Sequence, residues 1–261
     1  MTQPLIDIGA NLTHKSLIPH INHILSESTK ANVEHIIVTG TSIEESEQAL
    51  ALAQQHPQQL CCTCGIHPHD AKQWNSDSIS QLRTMLSQKE VKASGETGLD
   101  FNRNYSPQKE QIFAFEQQIE LAIEFNKPLF LHQRDAHDTF FSILKNIQRN
   151  RPKIVVHCFT DNKKALFDYI DEDFYIGITG WVCDPKRGIA LQQLVPNIPL
   201  NRLMIESDAP YLTPKTISPK PKHNQPYYLP YVARKVAELY QQPYELIAQT
   251  SNTNSRSFFN L

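Results

Sequence analysis

Four polar residues stand where the buried strands of an α/β sheet would end, and their types are those that bind divalent metals. Glu96 follows the run VKASG, His132 ends PLFLH, His157 lies in KIVVHCF and Asp208 lies in LMIESDAP. Since the carboxyl ends of parallel strands meet at one edge of a sheet, these side chains are expected to converge. Two neutral imidazoles and two carboxylates form a mixed nitrogen and oxygen site for a divalent cation.

Such a site points to hydrolysis. A metal held by three or four protein ligands, with one open position, lowers the pKa of a bound water and polarises a phosphoryl or carbonyl oxygen. A nearby carboxylate then accepts the proton of the attacking water, and Asp208 or Glu206 is the candidate for that role. The ligand types favour hydrolysis over redox chemistry, while a metal-assisted lyase or isomerase stays open.

Basic side chains close to these positions are candidates for holding an anion. Arg134 follows His132 in LHQRDA, Arg103 lies in GLDFNRN, and His67 and His69 lie in GIHPHD. Guanidinium groups grip phosphate oxygens through paired hydrogen bonds. A salt bridge to a neighbouring Asp is the alternative for each arginine.

Three aromatic residues are candidates for stacking on nucleobases: Trp181 in TGWVCD, Phe101 and Tyr211. Packing in the core or at the rim of a site is the alternative for each of them.

Eight short, β-branched apolar runs alternate with segments of helical spacing. The predicted strands span residues 5–10, 35–40, 60–67, 91–96, 128–132, 153–159, 174–180 and 203–210. Near-continuously apolar strands separated by helices imply a parallel sheet buried on both faces, and eight such units close most naturally into a TIM (β/α)8 barrel. A doubly wound open sheet competes, but the first turn lacks its glycine fingerprint. With no linker and no internal repeat, residues 1–261 are predicted to form a single domain.

The longest helical pattern is SPQKEQIFAFEQQIELAIEFN. Ser106 is its predicted N-cap and Pro107 its first helical residue. Ile112, Phe115 and Ile119 repeat at the spacing of one helix face.

Composition excludes several classes of protein. The chain has 20% charged residues and a net charge of −2. This composition is typical neither of a disordered protein nor of a protein that binds nucleic acid over a broad basic surface. Five cysteines in apolar runs, with no signal peptide before them, predict a reduced cytoplasmic protein. Cys62 and Cys64 share a strand face and could hold a soft metal, although burial is the usual state of free thiols. No apolar run approaches the roughly 20 residues of a membrane span.

Six motifs resemble those of the TatD family of metal-dependent deoxyribonucleases. They are GIHPHD, GETGLDFNRN, KPLFLHQRDAHD, VVHCFT, YIGITGWVCD and IESDAPYL, in the family's order and over essentially the whole chain. Within the family they are most similar to the TatD branch. The resemblance implies an amidohydrolase-like TIM barrel. It also implies a Mg²⁺-dependent 3′–5′ exonuclease that acts on ends of single-stranded DNA or RNA, with a role in DNA repair.

The resemblance also implies roles for individual residues. Glu96, His132 and His157 stand at positions of family metal ligands, and Asp208 stands at the position of the final carboxylate. His67 stands at the position of an active-site histidine.

The first strand departs from the family pattern. Many members carry Asp-x-His-x-His where this chain has Asp7, Gly9 and Asn11, and residues 223–226 read HNQP where the family has RNEP. The lost histidines predict one well-defined metal position, with a second ion only when substrate is present. Asp7 is expected to join the metal cluster or to bond one of its ligands, and Asn11 to hold phosphate oxygens or the sugar.

Three functions follow from these observations. The first is a metal-dependent exonuclease, with Mg²⁺ as the working ion and Mn²⁺ or Zn²⁺ as alternatives because imidazoles suit them better. The second is an amide or lactone hydrolase on the same barrel; such enzymes often use a modified lysine where this chain has Glu96. The third is a catalytically weakened relative that only binds nucleic acid. A monomer without a membrane partner is expected.

Overall fold

The structure is a computed structural model that describes residues 3–147 and 150–261. Within these residues, eight strands alternate with α-helices. The strands are β1 (Leu5–Ala10), β2 (Val33–Val38), β3 (Leu60–Cys64), β4 (Val91–Asp100), β5 (Leu129–Arg134), β6 (Ile154–Val156), β7 (Tyr175–Ile178) and β8 (Leu203–Ile205). The helices are α1 (Ile21–Lys30), α2 (Ile43–Gln55), α3 (Ser78–Leu86), α4 (Gln108–Glu124), α5 (His137–Lys145), α6 (Lys163–Asp171), α7 (Ile189–Leu194), α8 (Leu229–Tyr240) and α9 (Tyr244–Phe259).

The strands follow one another in chain order, β1 to β8, in an eight-stranded sheet. Next to β8 lies β1: the amide of Asn11 donates to the carbonyl of Ala209 (2.7 Å), and that of Asp208 to the carbonyl of Gly9 (2.8 Å). A doubly wound sheet would place β1 in its interior and break the chain order. The structure therefore confirms the predicted (β/α)8 barrel class.

Two compact units make up the chain, and each is described by itself. One comprises Met1–Val38 and Cys158–Leu261 and contains β1, β2, β7 and β8. The other comprises Thr39–His157 and contains β3 to β6. The single-domain organisation predicted for residues 1–261 stays a prediction.

Four predicted strand ends are wrong by three residues or more, and the difference moves candidate site residues. β3 ends at Cys64, so His67 lies beyond it. β4 continues to Asp100, so Glu96 lies inside it and not at its end. β6 ends at Val156 and β8 at Ile205. Beyond them, Cys158 and Asp208 have φ angles of 48° and 53°, a left-handed backbone that a strand does not accommodate. His157, Glu206 and Asp208 therefore lie in the loops that follow their strands.

The start of α4 is also corrected. The helix begins at Gln108, so Pro107 is the N-cap residue and Ser106 lies outside the helix. The buried Ser106 hydroxyl instead donates to the carbonyl of His69 (2.7 Å) and accepts from the amide of Lys72 (3.0 Å). It stabilises the loop after β3.

The predicted thiol burial is confirmed on β3. Cys61, Cys62 and Cys64 are all buried, and burial raises the pKa of Cys62 to about 12. A thiol with such a pKa is neutral, which is typical of structural cysteines. None of the described helices combines the length and the apolar composition that crossing a bilayer requires.

Candidate metal centre

Three imidazoles surround one carboxylate oxygen in the unit Thr39–His157. Oε1 of Glu96 lies 2.8 Å from Nε2 of His157, 3.1 Å from Nδ1 of His132 and 3.2 Å from Nε2 of His67. Glu96, His67 and His157 are buried. The structure therefore brings together four of the residues that the sequence selects.

An irregularity in β4 directs Glu96 to this position. Ser94 pairs with Leu129 and Thr97 with Leu131, so β4 has one residue more than β5 between the two pairs. A bulge of this kind re-aims the side chains of the bulged strand. The amide of Glu96 donates to the carbonyl of Gly40 (2.7 Å), which fixes the bulged backbone from its other side.

A second carboxylate holds His132 from behind. Nε2 of His132 lies 3.3 Å from Oδ2 of Asp100, and the same oxygen lies 2.7 Å from Nε2 of His69. Amides of Asn102 and Arg103 donate to the other oxygen, Oδ1. Asp100 thus orients the imidazole that faces Glu96, as carboxylates behind metal-binding histidines do.

The cluster shifts the pKa values of its members. Burial raises the pKa of Glu96, but the imidazoles of His157 and His67 outweigh it and hold the pKa well below its usual range. Burial lowers the pKa of His67 to about 4, so this ring is neutral. Burial also acts against the cation of His132, yet its hydrogen bonds to Asp100 and Glu96 raise its pKa. At neutral pH the cluster contains an ionised carboxylate beside at least one neutral imidazole, the forms that bind metals.

Two buried glutamines on α4 position the loops of the site. Gln118 accepts from the amide of Ile66 (2.7 Å) and donates to the hydroxyl of Thr97 (2.7 Å), so it clamps the neighbours of His67 and Glu96. Gln111 accepts from the amide of Asp100 (2.8 Å) and donates to its carbonyl (3.1 Å).

Sequence reasoning missed Asp100, Gln111 and Gln118 as site residues. Polar residues at positions that face the sheet from α4 were the available signal for the glutamines. For Asp100 the signal is its place in GLDFNRN, three residues before the candidate Arg103.

The donor chemistry suits a divalent metal. One ligand atom each from His67, Glu96 and His132 lies within 4.8 Å of the other two. Imidazole nitrogen with carboxylate oxygen is the usual mixed donor set of Zn²⁺ and Mn²⁺ sites. Among the described residues this group contains no cysteine, so the predicted alternative of a soft metal on CCTC gains no support.

A separate group of polar side chains follows β1 and β8 in the other unit. Nδ2 of Asn11 donates to Oδ1 of Asp208 (3.0 Å). Oδ1 of Asp7 accepts from the amides of Ser207 (2.8 Å) and Gly9 (3.3 Å). Asp7 is fully buried, and no donor among the described residues reaches its second oxygen, Oδ2. Burial raises the pKa of Asp7 to about 7, although the hydrogen bonds of Ser207 act against the shift.

Asp7 is expected to make the metal-free protein less stable as the pH rises. Its carboxyl titrates near 3.8 in the unfolded chain and near 7 in the folded one. Between these values the folded state keeps a proton that the unfolded state releases, so the free energy of unfolding falls with pH. The full loss, reached above about pH 7, is at most roughly 4 kcal/mol.

Guanidinium unfolding of Asp7→Asn and wild-type protein in excess EDTA, at pH 5 and pH 8, measures this effect. The variant is expected to lose less stability between the two pH values. Asp171→Asn, which changes an exposed aspartate, is the matched control and should behave as the wild type. An equal pH dependence of Asp7→Asn and wild type would show that Asp7 is ionised throughout.

Glu206 is more deeply placed than its sequence role implies. It is fully buried, and its Oε1 accepts from the amide of Cys158 (2.5 Å). Asp208 is half-buried. Of the two predicted proton acceptors, Asp208 is therefore the one with solvent access, and Glu206 supports the loop that follows β6.

The predicted substrate-binding residues have different environments. Arg134 and Arg103 are exposed, and within the described part of the chain neither guanidinium forms a salt bridge, so the alternative of a salt bridge to a neighbouring Asp is not found. Trp181 is half-buried, with Nε1 donating to the carbonyl of Arg187 (3.1 Å) and the guanidinium of Arg187 4.5 Å from its ring centre. Tyr105, which no sequence motif singles out, is 58% exposed with its ring 4.7 Å from that of His69.

Comparisons with known proteins add an independent finding. A family model described as TatD related DNase matches residues 6–260. A Pectobacterium carotovorum subsp. carotovorum (strain PC1) protein named 3′–5′ ssDNA/RNA exonuclease TatD is 44% identical over 98% of this chain and 100% of its own length. An Edwardsiella piscicida protein of the same name is 42% identical over 98% of this chain and 100% of its own. The crystal structure of YJJV, a TatD homolog from Escherichia coli K12, covers 98% of both chains with a TM-score of 0.90 and 28% identity.

Proposed function

The chain belongs to the TatD related DNase family, and from this premise we propose that it is a 3′–5′ exonuclease. Its proposed substrates are single-stranded DNA and RNA, whose phosphodiester bonds it hydrolyses. Support comes from full-length relatives that carry this activity in their names, at 44% and 42% identity. Neither of these two relatives is named as an amide or lactone hydrolase.

One observation carries the proposal: the oxygen of Glu96 within 3.2 Å of three imidazole nitrogens. This cluster supplies imidazole nitrogens and a carboxylate oxygen as metal ligands, and a metal held by them suits attack by water on a phosphodiester. We propose that Glu96, His132 and His157 hold a divalent metal, with His67 beside them. Bound there, the metal lowers the pKa of water and polarises a phosphoryl oxygen. Asp100 holds the ring of His132 in place for this task.

We propose Mg²⁺ as the working ion, with Mn²⁺ or Zn²⁺ as alternatives that the imidazoles also suit. The predicted roles of Asp208 and Asp7 as further ligands stay predictions. So does the role of Asp208 as proton acceptor, with Glu206 acting through it.

Exposed cationic and polar groups are proposed to hold the substrate. Arg134 and Arg103 are exposed and suited to phosphate oxygens. Asn11 offers an amide to the sugar or phosphate while its Nδ2 bonds Asp208. Trp181, whose ring lies against Arg187, is the proposed stacking residue.

The polarity of digestion tests the proposal. With Mg²⁺, a single strand labelled at its 3′ end is expected to release labelled mononucleotide at once. The same strand labelled at its 5′ end should shorten step by step. Excess EDTA should stop both reactions, and an excess of Mg²⁺ over the chelator should restore them.

A blunt duplex of the same sequence is the matched control and should be digested more slowly. Release of label first from the 5′ end, or undiminished digestion in EDTA, would contradict the proposal. Turnover of amide or lactone substrates in place of nucleic acid would favour the second sequence-based hypothesis. The monomeric state, the cytoplasmic location and the role in DNA repair stay predictions.

A further inference from the structure

A cavity of about 410 Å³ lies between two loops of the unit that comprises Met1–Val38 and Cys158–Leu261. The β1–α1 loop contributes Lys15 and His20, and the β8–α8 loop contributes Lys222, His223, Tyr227 and Tyr228. Its volume falls within the roughly 300–1,000 Å³ of pockets that take small ligands, nucleotides included.

The cavity is a local concentration of positive charge. Lys15 and Lys222 are exposed, and within residues 3–147 and 150–261 neither ammonium group pairs with a carboxylate. None of the described residues that line the cavity is acidic. On a chain whose net charge is −2, unpaired lysines grouped in this way indicate an anionic ligand.

Two tyrosines supply aromatic surface beside these charges. The rings of Tyr227 and Tyr228 lie 4.6 Å apart at 65°, and both side chains are half-buried. Burial raises the pKa of Tyr227 to about 12, so its phenol stays a hydrogen-bond donor at neutral pH. Aromatic faces combined with lysines are the usual components of grooves that bind single-stranded nucleic acid.

Both loops are anchored close to Asn11 and Asp208. Nδ2 of the buried Asn224 donates to the carbonyl of Ser207 (2.7 Å), and its amide donates to the carbonyl of Pro210 (3.0 Å). In the β1–α1 loop, the amide of His14 donates to the carbonyl of Asn11 (3.0 Å). The cavity is therefore tied to the backbone on either side of the Asn11–Asp208 hydrogen bond.

We propose that this cavity is a subsite that holds one or two nucleotides of a single strand on the 5′ side of the bond that is hydrolysed. The inference rests on the proposed exonuclease function, since an enzyme that removes 3′ nucleotides leaves the strand extending in the 5′ direction. Lys15 and Lys222 contact backbone phosphates, and the tyrosines contact bases. These contacts read no sequence, which suits an enzyme that degrades strands from their ends.

The double variant Lys15→Gln/Lys222→Gln tests the subsite through substrate length. For a strand of about ten nucleotides, kcat/KM is expected to fall about 10-fold through KM. A dinucleoside monophosphate, whose only phosphate is the one that is hydrolysed, offers the two lysines no phosphate on the 5′ side and should be cleaved as by the wild type. Fluorescence anisotropy with the longer strand in EDTA should give a Kd raised by a similar factor. The slope of log Kd against log salt should fall by about 1.4, since each lost phosphate contact removes about 0.7.

A matched control is Lys30→Gln/Lys89→Gln, which removes two lysines whose side chains are 69% and 90% exposed. Lys30 ends α1 and Lys89 follows α3, so both lie at helix ends that lead into the amino ends of strands. This control should bind both substrates as the wild type does. Lys15→Arg/Lys222→Arg should restore most of the binding.

Equal values for the test and control variants on the longer strand would overturn the subsite. An equal loss on both substrates would also overturn it, because the effect would then concern the reaction itself. If the wild type hydrolyses neither substrate, the exonuclease proposal fails, and the anisotropy in EDTA still decides whether the cavity binds a strand. Wild-type hydrolysis with no length-dependent difference leaves the exonuclease proposal standing and removes the subsite alone.

Discussion

Glu96→Gln is expected to lower kcat for single-strand hydrolysis by about 10³-fold or more. The substitution keeps the size of the side chain but removes the charge that three imidazoles face. A neutral amide binds a divalent metal more weakly, and metal stabilisation of a phosphoryl transition state amounts to several kcal/mol, or about three powers of ten in rate. Initial rates on an end-labelled strand at saturating Mg²⁺ measure the loss.

Metal binding should fall with the rate. Titration calorimetry with Mn²⁺ is expected to give an affinity lowered at least about 10-fold in Glu96→Gln. Glu116→Gln makes the same change on the exposed face of α4 and should leave both values unchanged. Thermal unfolding of both variants verifies that they are folded. Activity of Glu96→Gln within about 10-fold of the wild type would show that Glu96 is not a ligand of the working metal.

The residues of this centre could be predicted from the sequence because their polarity differs from that of the residues around them. Glu96, His132 and His157 are polar residues attached to otherwise apolar strands, and burial of such groups is costly without partners. Asp7 is likewise a polar residue in the apolar strand β1, and its Oδ2 has no donor among the described residues.

The geometry could not be predicted in the same way. The sequence pattern ended β4 at Glu96, whereas a bulge between Ser94 and Thr97 carries the strand on to Asp100. Hydrophobic alternation locates a strand but does not reveal an inserted residue, because β4 contains glycines, which have no side chain to contribute to the pattern. Without the register of β4 against β5, the contact of Asp100 with His132 could not be predicted.

Helix α4, which positions the site, shows that an amphipathic pattern does not identify every buried residue. The spacing of Phe115 and Ile119 located α4, yet Gln118 is equally buried and bonds backbone at Ile66 and the hydroxyl of Thr97. An amphipathic pattern assigns a glutamine to solvent by default. Only its hydrogen bonds to Ile66 and Thr97 reveal that Gln118 is buried.

Gly98→Ala is expected to reduce the free energy of unfolding by about 3–5 kcal/mol. Gly98 has φ of 138°, a conformation that residues with a Cβ rarely adopt, and an added Cβ would meet the carbonyl oxygen of His132. Both the strained backbone and the contact act against the folded state, and neither is relieved by a rotamer change. The midpoint of guanidinium unfolding measures the loss.

The same substitution should also damage the metal centre, because Gly98 pairs directly with His132 in the β4–β5 ladder. A shift of that backbone moves the imidazole away from Glu96 and Asp100, so Mn²⁺ affinity is expected to fall even below the unfolding temperature. Ala93→Gly is the matched control: it exchanges one methyl group at a buried position of the same strand and should cost only about 1 kcal/mol with metal affinity retained. If Gly98→Ala is no more destabilising than this control, β4 can yield at Gly98. The positions of Glu96 and His132 would then depend on the glutamines of α4 and not on the close approach of the two strands.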